Sequence, residues 1–382
     1  MFKRLYLTIL IMLLFTGLIS FTTGCQTKKE NVEVIKIGGV GPVSGEASTF
    51  GISTRNGEKL AVEEWNAKGG VLGKKIELIF EDDKGEAAEA ATVWTELIDQ
   101  EKVVAIVGSV MSKCSLAGAP IAQAKGVPVV SSGSTNPRVT ECGDYIFRVC
   151  FIDSFQGKVG ANFAFNDLGV RKVGAIFDIG NDYTKGLAEF FRDQFINLGG
   201  EVVGFESHPT GATDFKAQLT NLIKSGAELI YIPDYYSDAA LIMKQARELG
   251  FKGYFLGSDG WDSPDLVKIG GDAVEGGFFT NHFSKDEQRP EVQEFVKKYK
   301  EKFGQDPDAL ASLAYDAMNI TLTAIQNAGS TDGAKIKEAL KNMEFNGVTG
   351  FITFDENRNP IKSVVILEIK NGQQTYRATV NP

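Results

Sequence analysis

A chain of 382 residues, 43% hydrophobic and 10% aromatic, carries apolar material for about two domain-sized cores, which excludes a disordered or fibrous protein. With 40 basic and 49 acidic residues the net charge is -9, and no basic run follows the first few positions. The phosphate-neutralising surface of a nucleic-acid binder is therefore missing, and nucleic acid is not expected as a partner.

The first element is a leader. Lys3 and Arg4 form a positive start, residues 5–21 are uncharged and almost wholly apolar, and Thr22-Thr23-Gly24-Cys25 follows, which predicts an export signal peptide over 1–24. Small residues before a cysteine resemble the bacterial lipobox, in which a peptidase cuts ahead of the cysteine and the thiol takes up a diacylglycerol. That resemblance implies lipidation at Cys25, although Thr22 departs from the aliphatic residue more usual at its position. An uncleaved anchor is the alternative, because the apolar stretch approaches the roughly 17 to 25 residues of a membrane span. Residues 25–33 are largely polar and read as a lipidated tether.

From Val34 onward, short β-branched runs alternate with amphipathic stretches, the pattern of parallel sheets with helices on both faces. Strands are predicted over 34–40, 76–80, 103–107 and 127–130. Between the second and third, Ala87, Ala90, Ala91, Trp94, Leu97 and Ile98 repeat at helical spacing and mark a crossover helix. The pattern begins again after Asp153, with strands over 173–177, 202–205, 229–232 and 254–256 and helical stripes such as Leu187, Phe190, Phe191 and Leu198 between them. After about residue 280 the chain turns helical, with Val292, Phe295, Tyr299 and Phe303, then Tyr315, Met318, Leu322 and Ile325, as stripes. It ends in strand-like runs around Phe351, over 364–369 and over 375–380. Late helices without a new sheet must cover an existing lobe. The expected fold is α/β, two doubly wound parallel-sheet lobes: 34–150 with 280–350, and 151–279 with 351–382, the chain crossing between them as a hinge.

Ligands of open parallel sheets sit beyond the carboxyl ends of the strands. Two strand ends of the first lobe run into Gly108-Ser109-Val110-Met111-Ser112 and Ser131-Ser132-Gly133-Ser134-Thr135-Asn136-Pro137, small hydroxyl-rich loops that suit a carboxylate at a helix start. Ordinary capping by Ser112 is equally compatible. The second lobe offers carboxylates and aromatics at 178–183, at Asp234-Tyr235-Tyr236 and at Ser258-Asp259-Gly260-Trp261. Hydroxyls facing acids and rings match a zwitterion gripped across a cleft. Nucleotide-loop motifs fail, since Pro42 removes an N–H from the Gly39–Gly45 run, and His208 and His282 are too few for a histidine-rich metal site or triad. Asp82-Asp83 reads as turn chemistry before Lys84-Gly85. No cofactor, metal or catalysis is expected.

Gly41-Pro42-Val43-Ser44-Gly45, Asn66-Ala67-Lys68-Gly69-Gly70, Ser134-Thr135-Asn136-Pro137 and Phe147-Arg148-Val149 leading to Gln156-Gly157 together resemble the leucine/isoleucine/valine-binding protein family of ABC-transporter receptors, over the whole body from Val34. The resemblance implies a type I periplasmic-binding-protein fold with three hinge crossings, and an amino acid held by its carboxylate and ammonium. It implies Ser112 and Thr135 on the carboxylate, with the backbone of Gly133 and Ser134 beside them. Tyr183 and Tyr235 would close over the ligand, Asp259 would stand where the family has a glutamate for the ammonium, and Phe50 would line the side-chain pocket. Asp259 is one methylene shorter than that glutamate, and Trp261 is bulky enough to narrow the pocket. The family pattern also brings Cys114 and Cys142 together, which implies a disulfide between them, Cys150 being left over in an apolar strand. The expected protein is a monomeric extracytoplasmic lipoprotein that delivers an apolar amino acid to a membrane permease. The alternatives are a receptor for another small carboxylate or amide, or a ligand-sensing receptor subunit.

Overall fold

The computed structural model describes residues 33–381, so the leader, Cys25 and all but the end of the tether lie outside the described residues. The β-branched runs of the first half form five parallel strands, β1 (Val34–Gly41), β2 (Lys75–Asp82), β3 (Ala105–Val107), β4 (Val129–Ser131) and β5 (Ile146–Arg148), in the order β2-β1-β3-β4-β5. Parallel neighbours need crossovers. The helix Ala87–Asp99 supplies one, burying Ala90, Trp94, Leu97 and Ile98 of the expected stripe. Strands β3 to β5 are buried throughout, as strands covered on both faces are.

The second sheet has seven strands in the order β14-β13-β10-β9-β8-β6-β7. Its parallel part comprises β6 (Lys172–Asp178), β7 (Glu201–His208), β8 (Leu229–Ile232), β9 (Tyr254–Gly257) and β10 (Phe278–Asn281). The run around Phe351 stays out of this sheet: β11 (Phe345–Gly347) and β12 (Gly350–Ile352) pair with each other, and the Asp316 carboxylate holds their turn by accepting from the Val348 and Thr349 N–H groups at 2.9 and 2.8 Å. The tail then adds two antiparallel strands at the sheet edge, β13 (Val364–Lys370) and β14 (Gln373–Val380), so the parallel sheet carries an antiparallel margin. Between them Asn371 and Gly372 both adopt positive φ, 53° and 68°, the Asn-Gly geometry of a tight hairpin.

The late helices Pro290–Phe303 and Ala309–Ala328 pack on Ser48–Ala67 and cover the first sheet. The chain thus passes between the sheets three times, after β5, after β10 and ahead of β13. Buried cations fix these passages. Arg148, wholly buried at the end of β5, donates to the carbonyls of Ser134 and Asn136 at 2.7 and 2.8 Å and of Pro137 at 3.1 Å, pinning the hydroxyl-rich loop after β4. Lys362 donates to Val149 O at 3.0 Å and to Thr349 Oγ1, tying the first passage to the third, and burial pulls its ammonium down to about 8 against the nearby Asp316 charge.

Candidate ligand-binding site

The carboxyl ends of β3 and β4 face those of β6, β8 and β9 across a small cavity. Phe50, Val110, Ser112, Gly133 and Leu310 line it from the first sheet's side, and Tyr183, Tyr235, Asp259 and Gly260 from the other. Six residues expected from the sequence therefore converge on one cavity: Phe50, Ser112, Gly133, Tyr183, Tyr235 and Asp259. Val110 and Leu310, an apolar wall beside Phe50, were not anticipated.

On the first side, Ser112 opens the helix Ser112–Lys125, where unpaired N–H groups and the helix dipole favour an anion. Its hydroxyl accepts from Asn136 N–H at 3.2 Å, joining the loop after β3 to the loop after β4. Ser134 is fully buried, and its hydroxyl is spent on Ser109 O at 3.0 Å, Val110 O at 3.1 Å and Ser115 Oγ at 2.7 Å, so its side chain knits the two loops together. Thr135 Oγ1 is buried beside Asp153 and closes no hydrogen bond with any described residue.

On the second side Asp259 is 8% exposed. Its Oδ1 accepts from the Tyr183 hydroxyl at 2.7 Å and from Gln156 Nε2 at 2.8 Å, while His282 Nε2 stands 3.2 Å from Oδ2. Tyr183 also accepts from Gly260 N–H at 3.0 Å, and its ring stacks on Tyr235 at 5.1 Å between centroids and 4° between planes. Burial, with the charges of Asp259 and Asp153, holds the Tyr183 phenol well above its usual range, so it stays a donor. Asp153 opens the helix Asp153–Asn162, is fully buried, and both of its oxygens lack a hydrogen bond among the described residues. Desolvation drives its carboxyl well above the usual range. Sequence reasoning missed Asp153, Gln156 and His282. Gln156 had been marked only as part of a pattern, and nothing local distinguishes the other two.

Two expectations are corrected. Trp261 does not line the cavity: it is fully buried in the second sheet's core, with its indole N–H donating to Ile232 O at 3.0 Å and its ring over Gly257. The short helical turn Asp259–Trp261 sends Asp259 to the cleft and Trp261, two positions on, to the core. Cys114, Cys142 and Cys150 are free thiols; Cys114 faces Asp83 and Cys142 faces Arg138 O at 3.6 Å, so the expected bond is not formed. Asp234, just past the end of β8, does not line the cavity. It accepts from Asp178 N–H at 2.9 Å and lies 3.5 Å from His208. Asp82-Asp83 serves turn chemistry as read, Asp82 accepting from Val43 and Lys84 N–H and Asp83 from Gly85 N–H.

Contacts across the cleft hold the lobes together around the cavity: Tyr236 donates to Glu46 O at 2.6 Å, Asn136 to Asp182 O at 2.9 Å, and Ala309 N–H to Asp262 at 2.8 Å. A wider groove, with Lys84 and Lys113 opposite Asp178 and Asp238, opens beside Tyr235 at the cleft mouth. Among the described residues no three histidine, cysteine or acidic side chains gather as metal ligands, and no helix is long and apolar enough to cross a membrane.

A family profile described as periplasmic binding protein matches residues 34–374. The chain is similar to a leucine-binding protein of Thermotoga maritima, at 45% identity over 91% of this chain and 99% of that one, with a TM-score of 0.88. It is similar to a branched-chain amino acid transporter substrate-binding protein of Streptococcus pneumoniae in complex with isoleucine, at 34% identity over 92% and 100% and a TM-score of 0.87. A solute-binding protein of Rhodopseudomonas palustris in complex with 3,4-dihydroxybenzoic acid shares 27% identity over 91% and 97%, with a TM-score of 0.82.

Proposed function

The chain belongs to the periplasmic binding proteins, in the branch that contains the Leu/Ile/Val-binding proteins, and on that premise we propose that it captures an apolar α-amino acid between its lobes and delivers it to an ABC-transporter permease. Proteins of this family bind substrates for extracytoplasmic transport systems and are not enzymes, and the fold is their type I architecture.

The observation that carries the reading is the polarity of one small cavity. Ser112 at a helix start and the backbone at Gly133 offer donors to a carboxylate, and Asp259 opposite offers an acceptor to an ammonium. Phe50, Val110 and Leu310 form an apolar wall for an aliphatic side chain, and Tyr183 with Tyr235 closes the other face. Hinge closure about the three passages would seal the ligand in, with 34–150 and 280–350 moving against 151–279 and 351–382. Cys25 would carry the lipid that tethers the monomer to the membrane. A thermal-shift screen of common amino acids tests the reading, because a ligand at about 100 times its Kd stabilises by about 2.7 kcal/mol.

A small aromatic acid is the second reading, favoured by the dihydroxybenzoate-bound relative. It leaves Asp259 facing an anionic ligand without a cation, which costs affinity. The same screen, extended to benzoates, decides between the two.

A further inference from the structure

We infer that His282 is a positioning residue for ligand capture: it orients the Asp259 carboxylate toward the ligand's ammonium and, when it takes up a proton, competes with that ammonium for the same carboxylate. The inference rests on the amino-acid reading above and adds an acid-sensitive release to it.

The geometry is specific. His282 follows β10, in the second passage between the sheets, and its ring stacks on Phe151 of the first passage at 3.5 Å between centroids. Its Nε2 reaches Asp259 Oδ2 at 3.2 Å, so one imidazole touches two hinge passages and the carboxylate of the cavity. Asp259 Oδ1 is already filled by Tyr183 and Gln156, which leaves the remaining lone pair of Oδ2, beside His282, as the place for an ammonium N–H.

The protonation chemistry follows from the other ring nitrogen. Nδ1 is buried with no partner among the described residues. A bare lone pair is tolerable there, but an N–H would be a buried donor without an acceptor, so the neutral ring with its proton on Nε2 is the resting form. Burial holds the imidazole below its usual value and Lys362 pushes the same way, against the pull of Asp259. Of the other titratable groups around it, Lys362 is pulled only down to about 8 and stays charged in acid, Cys150 is pushed up to about 12, and Tyr183 stays protonated. Asp153 and Asp262, both raised by burial and both interacting with Asp259, are other groups able to change charge in the acid range. Above its pKa, His282 is a neutral donor that steadies Asp259. Below it, imidazolium neutralises Asp259 and repels an incoming ammonium. By linkage the bound ammonium must lower the His282 pKa in return.

The test uses the full-length protein and L-leucine. Calorimetry from about pH 8 to about pH 5 should show wild-type affinity falling, by up to about tenfold per unit below the His282 pKa. His282→Gln keeps an amide N–H for Asp259 but cannot titrate, so, measured against its own affinity at about pH 8, its acid loss should nearly vanish. The protein has only 2 histidines, so ring-labelled wild type gives two imidazole signals, and the one absent from His282→Gln should titrate at lower pH once leucine is added. Equal acid slopes in both proteins, the outcome if Asp153 or Asp262 governs, or a His282 titration unmoved by leucine would overturn the inference while leaving the amino-acid reading intact. Wild type that binds neither leucine, isoleucine nor valine at about pH 8 overturns the reading itself and this inference with it.

Discussion

The indole of Trp261 lies over Gly257 so closely that a methyl group on that α-carbon would stand 2.0 Å from the ring. The contact seats the ring against the end of β9 and turns it out of the cleft. Trp261→Phe should therefore leave the ranking of bound ligands unchanged while lowering stability by roughly 1 to 3 kcal/mol, through the lost bond to Ile232 O and the space left behind. Denaturant unfolding and a ligand panel on the same sample check both halves; a changed ligand ranking with unchanged stability would place Trp261 at the ligand after all.

His208 and Asp234 should make stability fall in mild alkali. Both side chains are 1% exposed and stand 3.5 Å apart. Burial alone would lower the histidine, but the Asp234 carboxylate wins and raises it from 6.5 to about 9. A raised folded pKa means the contribution is complete below 6.5 and drains away as pH climbs through about 9. Urea midpoints across that interval should decline by roughly 1 to 3 kcal/mol in wild type and stay nearly flat in His208→Gln.

Glu58 should cost stability at neutral pH. It is fully buried on the helix Ser48–Ala67, neither of its oxygens has a hydrogen-bond partner among the described residues, and desolvation raises its carboxyl well above 4.5. Folding therefore favours the protonated acid: the penalty is absent below 4.5 and grows by about 1.4 kcal/mol per pH unit above it until the folded group ionises. Glu58→Met, unbranched and of similar length, should be more stable than wild type at about pH 7 and lose that advantage near about pH 4. Equal unfolding midpoints at both pH values would show that the carboxyl is solvated.

How much of this was readable in advance differs from element to element. Strands such as β1 and β6 announce themselves as short apolar runs, because both faces are covered, and the helix Ala87–Asp99 by its stripe, because burial on one face imposes a repeat. The hydroxyl loops after β3 and β4 were legible because strand ends predict where ligands sit. Trp261 was misread because the direction a side chain takes out of a three-residue helical turn depends on what packs there, and Gly257 leaves the space in the core. Arg148 carries no sign in the sequence that it will be buried among carbonyls instead of solvated. Gln156 and His282 lie 103 and 23 positions from the Asp259 they touch, and only the fold brings them there.

The most direct measurement is titration calorimetry of L-leucine and its des-amino analogue, 4-methylpentanoate, against wild type and Asp259→Asn. An ammonium held by Asp259 predicts that wild type prefers leucine by tens of fold or more. It also predicts that Asp259→Asn loses roughly 2 to 5 kcal/mol of leucine affinity, as expected when one partner of a buried charge pair is removed, while the des-amino acid binds no worse. Leucine binding to Asp259→Asn within about threefold of wild type, a difference near 0.7 kcal/mol, or wild type that binds the two compounds equally, would contradict it.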